Sequence, residues 1–169
     1  MALLEFVARL AAVKVGLEPL KALNADPYIL MTDGAAKGNP GPAGAGAVIF
    51  APDEAVVGSW SWYLGPLSNN AAEYGALILG LIVAKELGLK KLKVALDSEL
   101  VARQLSGQYQ VRHEGLRLYY QEAKKLLAEF DEVKVGHVYR EKNGDADRLA
   151  SLAAQNGAIG LLEVLERQD

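Results

Sequence analysis

Residues 31–44 constrain this chain more than any other stretch: Met31-Thr32-Asp33-Gly34-Ala35-Ala36-Lys37-Gly38-Asn39-Pro40-Gly41-Pro42-Ala43-Gly44. The preceding Tyr28-Ile29-Leu30-Met31-Thr32 reads as a short buried strand, which puts Asp33 at its end. The Gly, Asn and Pro run after it predicts a tight loop. Ala45-Gly46-Ala47-Val48-Ile49-Phe50 then resumes an apolar strand. One carboxylate is thereby held on a rigid element beside a loop bare enough for a phosphate to approach. Taken alone, this is also what a β-hairpin with an aspartate in its turn looks like. The later acids decide between the two.

The rest of the chain supplies a mixed sheet. At 169 residues it suits one domain with a real core. We divide it into an N-terminal helical extension at 1–25, a main domain at 26–156 and a tail at 157–169. Residues 2–24 carry Leu3, Phe6, Val7, Leu10, Ala11 and Val13 at helical spacing, with Gly16 and Pro19 as breakers. That helix is expected to pack on the domain or on a second copy, so the chain is expected to be a monomer or a dimer through it. Strands are predicted near 44–51 and 56–64, with Trp60 and Trp62 on one buried face. A long helix near 70–87 with an apolar stripe of Leu77, Leu81, Ala84 and Leu87 leads to a buried strand at 92–96. Helices near 98–105 and 115–130 follow, then an alternating strand at 132–139, a helix at 145–155 and a helical segment at 161–167. A strand, a helix and a strand of these lengths make a parallel crossover.

Charge and composition exclude some classes. The formal charge of -3 argues against coating nucleic acid by bulk electrostatics, so any such partner must be held by a local site. No apolar run reaches membrane-spanning length. Glu5 and Arg9 interrupt any secretory signal, and the absence of cysteine fits a reducing compartment, so a cytoplasmic location is expected.

Four acids stand at element ends. Asp33 and Asp97 end two strands; Glu73 and Asp147 start two helices. Each has a local explanation. Asn70-Ala71-Ala72-Glu73 has the spacing of a capping box, and Asp145 and Asp147 suit a helix first turn. If the two strands are parallel neighbours, all four converge at one sheet end, where open α/β sheets place their sites. Converging carboxylates without basic partners call for a hard dication, so Mg2+ or Mn2+ is expected over Zn2+. Two such ions about 3.5–4 Å apart suit hydrolysis of a phosphodiester.

Thr32-Asp33-Gly34 with Gly38-Asn39-Pro40-Gly41-Pro42, then Asn69-Asn70-Ala71-Ala72-Glu73-Tyr74, Asp97-Ser98 and Asn143-Gly144-Asp145-Ala146-Asp147-Arg148-Leu149-Ala150 together closely resemble ribonuclease H type 1. The resemblance covers about residues 28–155. It implies an α/β ribonuclease H-like fold: a five-stranded mixed sheet, three antiparallel strands then parallel ones, flanked by helices. It implies cleavage of the RNA strand of RNA–DNA hybrids, leaving 5′-phosphate and 3′-hydroxyl ends, with two Mg2+ or Mn2+ ions per site. Asp33, Glu73, Asp97 and Asp147 are then the metal ligands. Gly38, Asn39, Asn69, Asn70 and Ser98 are then substrate contacts, the asparagines reading the minor groove. Neutral amides suit that task because they both donate to and accept from bases and 2′-hydroxyls.

The chain departs from the pattern at several places. Ala35 replaces a frequent serine, and Glu99 a glutamine. The stretch 106–115 lacks the basic handle of some bacterial members, leaving Arg112 and His113. Val138-Tyr139-Arg140-Glu141-Lys142 resembles the archaeal and plant-like branch, in which Arg140 is expected to help release product phosphate, with His137 as the alternative. Other readings are a non-catalytic nucleic-acid-binding domain on the same fold, a nuclease that also cuts double-stranded RNA, or an integrase-like nuclease. The asparagine pair and the Gly-Asn-Pro-Gly loop argue against the last.

Overall fold

A computed structural model describes residues 3–156. The elements are α1 (Leu3–Ala11), β1 (Tyr28–Ala36), β2 (Gly41–Phe50), β3 (Val56–Leu67), α2 (Asn69–Glu86), β4 (Lys91–Leu96), α3 (Glu99–Leu105), α4 (Glu114–Leu127), β5 (Glu132–His137), a 3-10 turn (Arg140–Lys142) and α5 (Gly144–Asn156). The sheet order is β3-β2-β1-β4-β5. β1 pairs antiparallel with β2 and parallel with β4, and β4 pairs parallel with β5. This is the expected three-antiparallel, then parallel, mixed sheet. The expected helix at 161–167 lies outside the described residues.

Each sheet face carries a helix, and the two helices differ in character. α2 is buried over nearly its whole length, from Ala71 to Ala84, rather than along one stripe. It lies between the sheet and an outer layer of α1 and α4, so it has no solvent face to keep polar. α5 covers the opposite face and packs on β1, β2 and β3. A Cβ at Gly44 or Gly46 would collide with the α5 backbone at Ala150 or Ala146, so these glycines set how closely the helix approaches. Ser61, buried on the α5 side of β3, donates a 2.7 Å hydrogen bond to the Leu149 carbonyl. Trp60 and Trp62 both lie on the α2 side, each 3% exposed, as their alternation requires.

Several boundaries differ from expectation, for physical reasons. β1 does not stop at Thr32. It runs through Asp33 to Ala36, because Asp33, Gly34, Ala35 and Ala36 pair with the small residues Gly46, Ala45, Gly44 and Ala43. The loop shrinks to four residues, closed by the Lys37 amide donating to the Pro42 carbonyl at 2.8 Å. β3 likewise extends to Leu67. The capping box at α2 is absent. Ser68 is the cap, its hydroxyl accepting the Ala71 amide at 3.2 Å, which leaves Glu73 free to point elsewhere. β5 ends at His137 and α4 at Leu127, each slightly short of expectation.

The largest difference is at the N-terminus. The helix ends at Ala11, before the expected breakers Gly16 and Pro19. From Ala11 to Leu17 burial alternates residue by residue, so Val13, Val15 and Leu17 face inward from an extended strap. The Glu86 carboxylate accepts the Val15 amide at 3.0 Å, and the Leu20 amide donates to the Leu87 carbonyl at 3.0 Å. Helix and strap together cover the outer side of α2: Val7 and Leu10 are buried, and Phe6 meets the Tyr119 ring at a centroid distance of 6.3 Å. Burial of this kind makes Leu10→Ala cost about 2–4 kcal/mol in stability. Denaturant unfolding of the variant should show that loss as a lowered midpoint. An unaltered midpoint would mean the segment does not pack on α2.

Candidate active site

The site begins with the register of β1 and β4. Their pairing ends at Thr32 opposite Leu96, so the next residues on the two strands, Asp33 and Asp97, step off side by side. The third acid comes from α2. A Cβ at Gly34 would collide with the backbone of Ala72 and Glu73, so glycine here lets the first turn of α2 rest directly on β1. Asp33, Glu73 and Asp97 each offer a carboxylate oxygen within 4.8 Å of the other two. Asp147, half-buried in the first turn of α5, lies outside that triple but faces Asp33 closely enough to accept a hydrogen bond from its protonated form. Three of the four expected acids therefore meet, and Asp147 borders them from α5. Asp145 is exposed and stands apart.

Electrostatically the cluster is unbalanced. Burial raises the Asp33 pKa, with Glu73, Asp147 and Asp97 adding to the rise. Burial also raises that of Glu73; the hydrogen bond from Asp33, the Gly34 amide and the charge of Arg140 pull it partly back. A proton held on Asp33 and shared with its neighbours thus relieves the repulsion. Among the described residues, the ion pairs are Lys85–Glu129 and Arg103–Glu99, and neither involves these acids. One oxygen of Glu73, Oε2, is buried without a hydrogen-bond partner. Closely spaced hard oxygen donors, one of them unpartnered, fit a Mg2+- or Mn2+-type cation, and the chain has no cysteine to favour a softer one.

The other expected residues lie at the edges. Gly38 has φ of +102°, a conformation that only glycine adopts freely, and it lets the β1–β2 loop turn back. Asn39 and Asn69 form a short relay: Asn39 Oδ1 accepts the Asn69 amide at 3.0 Å, and Asn69 Oδ1 accepts the Ala36 amide at 3.2 Å. Gly38, Asn39, Asn69 and Asn70 are all exposed, and the relay leaves both side-chain NH2 groups outside these bonds. Ser98 caps α3, its hydroxyl accepting the Val101 amide at 3.2 Å. Glu99 is offset by a 2.6 Å ion pair with Arg103, whose guanidinium lies over the Tyr109 ring.

Arg140 is exposed on the 3-10 turn, and its charge is felt by Glu73. His137 is exposed at the end of β5, where Nε2 meets the Asp97 carbonyl at 3.2 Å and the ring packs edge-on to Tyr139. Both candidates for product release therefore border the acids. Asn143 was not among the expected site residues, yet it is 1% exposed and its side-chain amide donates to Asp97 Oδ2 at 3.0 Å. Its place four residues before Asp147 was the available signal.

The reverse transcriptase-like family model matches residues 31–153. The bifunctional protein Rv2228c of Mycobacterium tuberculosis is 41% identical over 135 residues, which is 77% of this chain and 37% of that protein. The chain thus spans little more than a third of that relative's length. The crystal structure of RNase H1 from Halobacterium salinarum superposes with a TM-score of 0.76 at 36% identity, covering 78% of this chain and 100% of that one. LC11-RNase H1, solved in complex with an RNA/DNA hybrid, gives a TM-score of 0.73 at 36% identity, covering 76% of this chain and 97% of that one. With the family match spanning all four acids, and a type 1 enzyme superposed over its whole length, the chain belongs to the reverse transcriptase-like family, in its ribonuclease H type 1 group.

Proposed function

We propose that this chain is an endoribonuclease that cleaves the RNA strand of RNA–DNA hybrids with two divalent cations, leaving 5′-phosphate and 3′-hydroxyl ends. The observation that carries the reading is the packing of Asp33, Glu73 and Asp97 oxygens within 4.8 Å of one another, with no ion pair among the described residues to balance them. The hybrid bound by LC11-RNase H1 supports the choice of substrate.

The residues divide the work. Asp33, Glu73, Asp97 and Asp147 hold the cations, Mg2+ or Mn2+. When bound, such a pair eases deprotonation of the attacking water and offsets charge on the phosphodiester. Asn39, Asn69 and Asn70 present neutral donors and acceptors to bases and to the 2′-hydroxyls that distinguish RNA from DNA. The loop at Gly38 brings bare backbone to the strand, and Ser98 holds α3 against the same end of the sheet. Arg140 forks onto the departing phosphate, because a guanidinium offers paired donors that match two phosphate oxygens. His137, bonded to the Asp97 carbonyl, is the less suited of the two. No helix among the described residues is long and apolar enough to cross a membrane, and we place the activity in the cytoplasm. The assay that tests the reading incubates labelled RNA–DNA hybrid, duplex RNA and duplex DNA with Mg2+, Mn2+ or EDTA. Metal-dependent cutting of the RNA strand of the hybrid is expected. Cutting of duplex DNA, or activity that survives EDTA, would contradict it.

Asp97→Asn should abolish that cleavage in a protein that still folds. Retention of more than about a tenth of wild-type activity, a barrier change under about 1.4 kcal/mol, would remove Asp97 from the machinery. Arg140→Ala should lower the turnover number about tenfold or more, about 1.4 kcal/mol, with metal affinity unchanged. A larger turnover loss in His137→Ala would exchange the two roles.

The raised acid pKa values also make stability depend on pH. Asp33 and Glu73 bind protons more readily folded than unfolded. Metal-free protein therefore loses stability as pH rises above the ordinary carboxylate range, about 4, through the raised values. In EDTA the melting temperature should fall between about pH 5 and pH 8; millimolar Mg2+ should raise it and flatten the slope. Asp33→Asn should flatten it without metal. A wild-type profile in EDTA that is level or rises would show that the acids do not repel one another.

A further inference from the structure

Asn143 joins four elements through one residue. Its Nδ2 donates to the Thr32 carbonyl at 2.9 Å and to Asp97 Oδ2 at 3.0 Å. Its backbone amide donates to the Arg140 carbonyl at 2.9 Å, and its carbonyl accepts the Asp147 amide at 3.0 Å. Thr32 immediately precedes Asp33, so one buried amide spans the carbonyl beside the first aspartate and the carboxylate of the second.

The side chain is not a helix cap. A cap would accept an amide from the first turn of α5, but Asn143 Oδ1 is buried without a partner, and both described side-chain bonds run from Nδ2 toward β1 and Asp97. Nor is it a counter-ion. A Lys or Arg here would neutralise Asp97 and repel a dication, whereas a neutral amide supplies two donors and leaves the carboxylate its charge.

We propose that Asn143 is a positioning residue that fixes the Asp97 carboxylate relative to Asp33, so that the two share a divalent cation; this rests on the metal-dependent reading above. A carboxylate already oriented by a hydrogen-bonding partner loses less freedom when it takes up a metal.

The test is Mn2+ binding without nucleic acid, by calorimetry at 25 °C, with melting temperatures in EDTA as the check on folding. Asn143→Ala should weaken Mn2+ binding about tenfold and lower kcat for the hybrid, with KM little changed, and Asn143→Ser should recover part of both. In an Asp97→Asn background, Asn143→Ala should have no further effect on Mn2+ affinity, because the partner it orients is gone. A folded Asn143→Ala protein with wild-type Mn2+ affinity and kcat overturns the proposal, as does an equal added loss in both backgrounds. If Asp97→Asn itself binds Mn2+ like wild type, the metal-dependent reading fails instead. Should the Asn143 variants not fold, nuclear magnetic resonance of the wild type decides. The Asn143 side-chain amide resonances should shift when Mg2+ saturates the protein; stationary resonances overturn the proposal.

Discussion

Buried carboxylates pressed together are the constraint on which this structure depends. Asp33 is 2% exposed, and the nearby charges of Glu73 and Asp97 oppose its ionisation. In water these groups would separate. They stay together because each is fixed to an element whose position the rest of the fold determines. The parallel register of β1 and β4 aligns Asp33 with Asp97. Contact of the α2 backbone with Gly34 brings in Glu73, and close packing of α5 over Gly44 and Gly46 brings in Asp147. The apolar core, with α2 enclosed on every side, supplies the free energy that offsets the repulsion. Without metal, burial and the neighbouring acids favour a proton on Asp33, which would do part of a cation's task. In the proposed function a divalent cation takes it over.

The arrangement also explains why small residues are so frequent around the site. Gly34, Gly44 and Gly46 lie where a helix backbone meets a strand backbone, and a methyl group at any of them would push an acid out of place. Gly80 plays a related part beneath Leu30 and Thr32. Substrate-facing groups follow a different rule. Asn39, Asn69 and Asn70 remain exposed, yet two of them are tied to backbone amides, so they are oriented before any duplex arrives. Pre-orientation of this kind reduces the entropy lost on binding.

The sequence made the four acids and the order of elements legible, because strand and helix ends carry local signals: apolar runs that stop, and Gly, Asn and Pro that turn the chain. Partners contributed by other strands were not legible. β1 continues through Asp33 only because β2 offers Gly44 and Gly46 opposite Ala35 and Asp33. The capping box at Asn70 and Glu73 had the right spacing, but Ser68 competed for the cap and the site took the glutamate. At the N-terminus, Val13, Val15 and Leu17 alternate with period two, a signal that the helical spacing of Leu3 to Ala11 overshadowed. Asn143 was hidden for a further reason: its partners, Thr32 and Asp97, are 111 and 46 residues away in the chain.

The central claim is that these acids form one divalent-cation site. Anomalous scattering from crystals grown with Mn2+ tests it most directly. The account predicts anomalous density bounded by Asp33, Glu73 and Asp97, with Asp147 at its margin, and weakened density in Asp97→Asn crystals. Crystals grown with millimolar Mn2+ that show no density at the cluster, or density only at Asp145 or other surface acids, would contradict it.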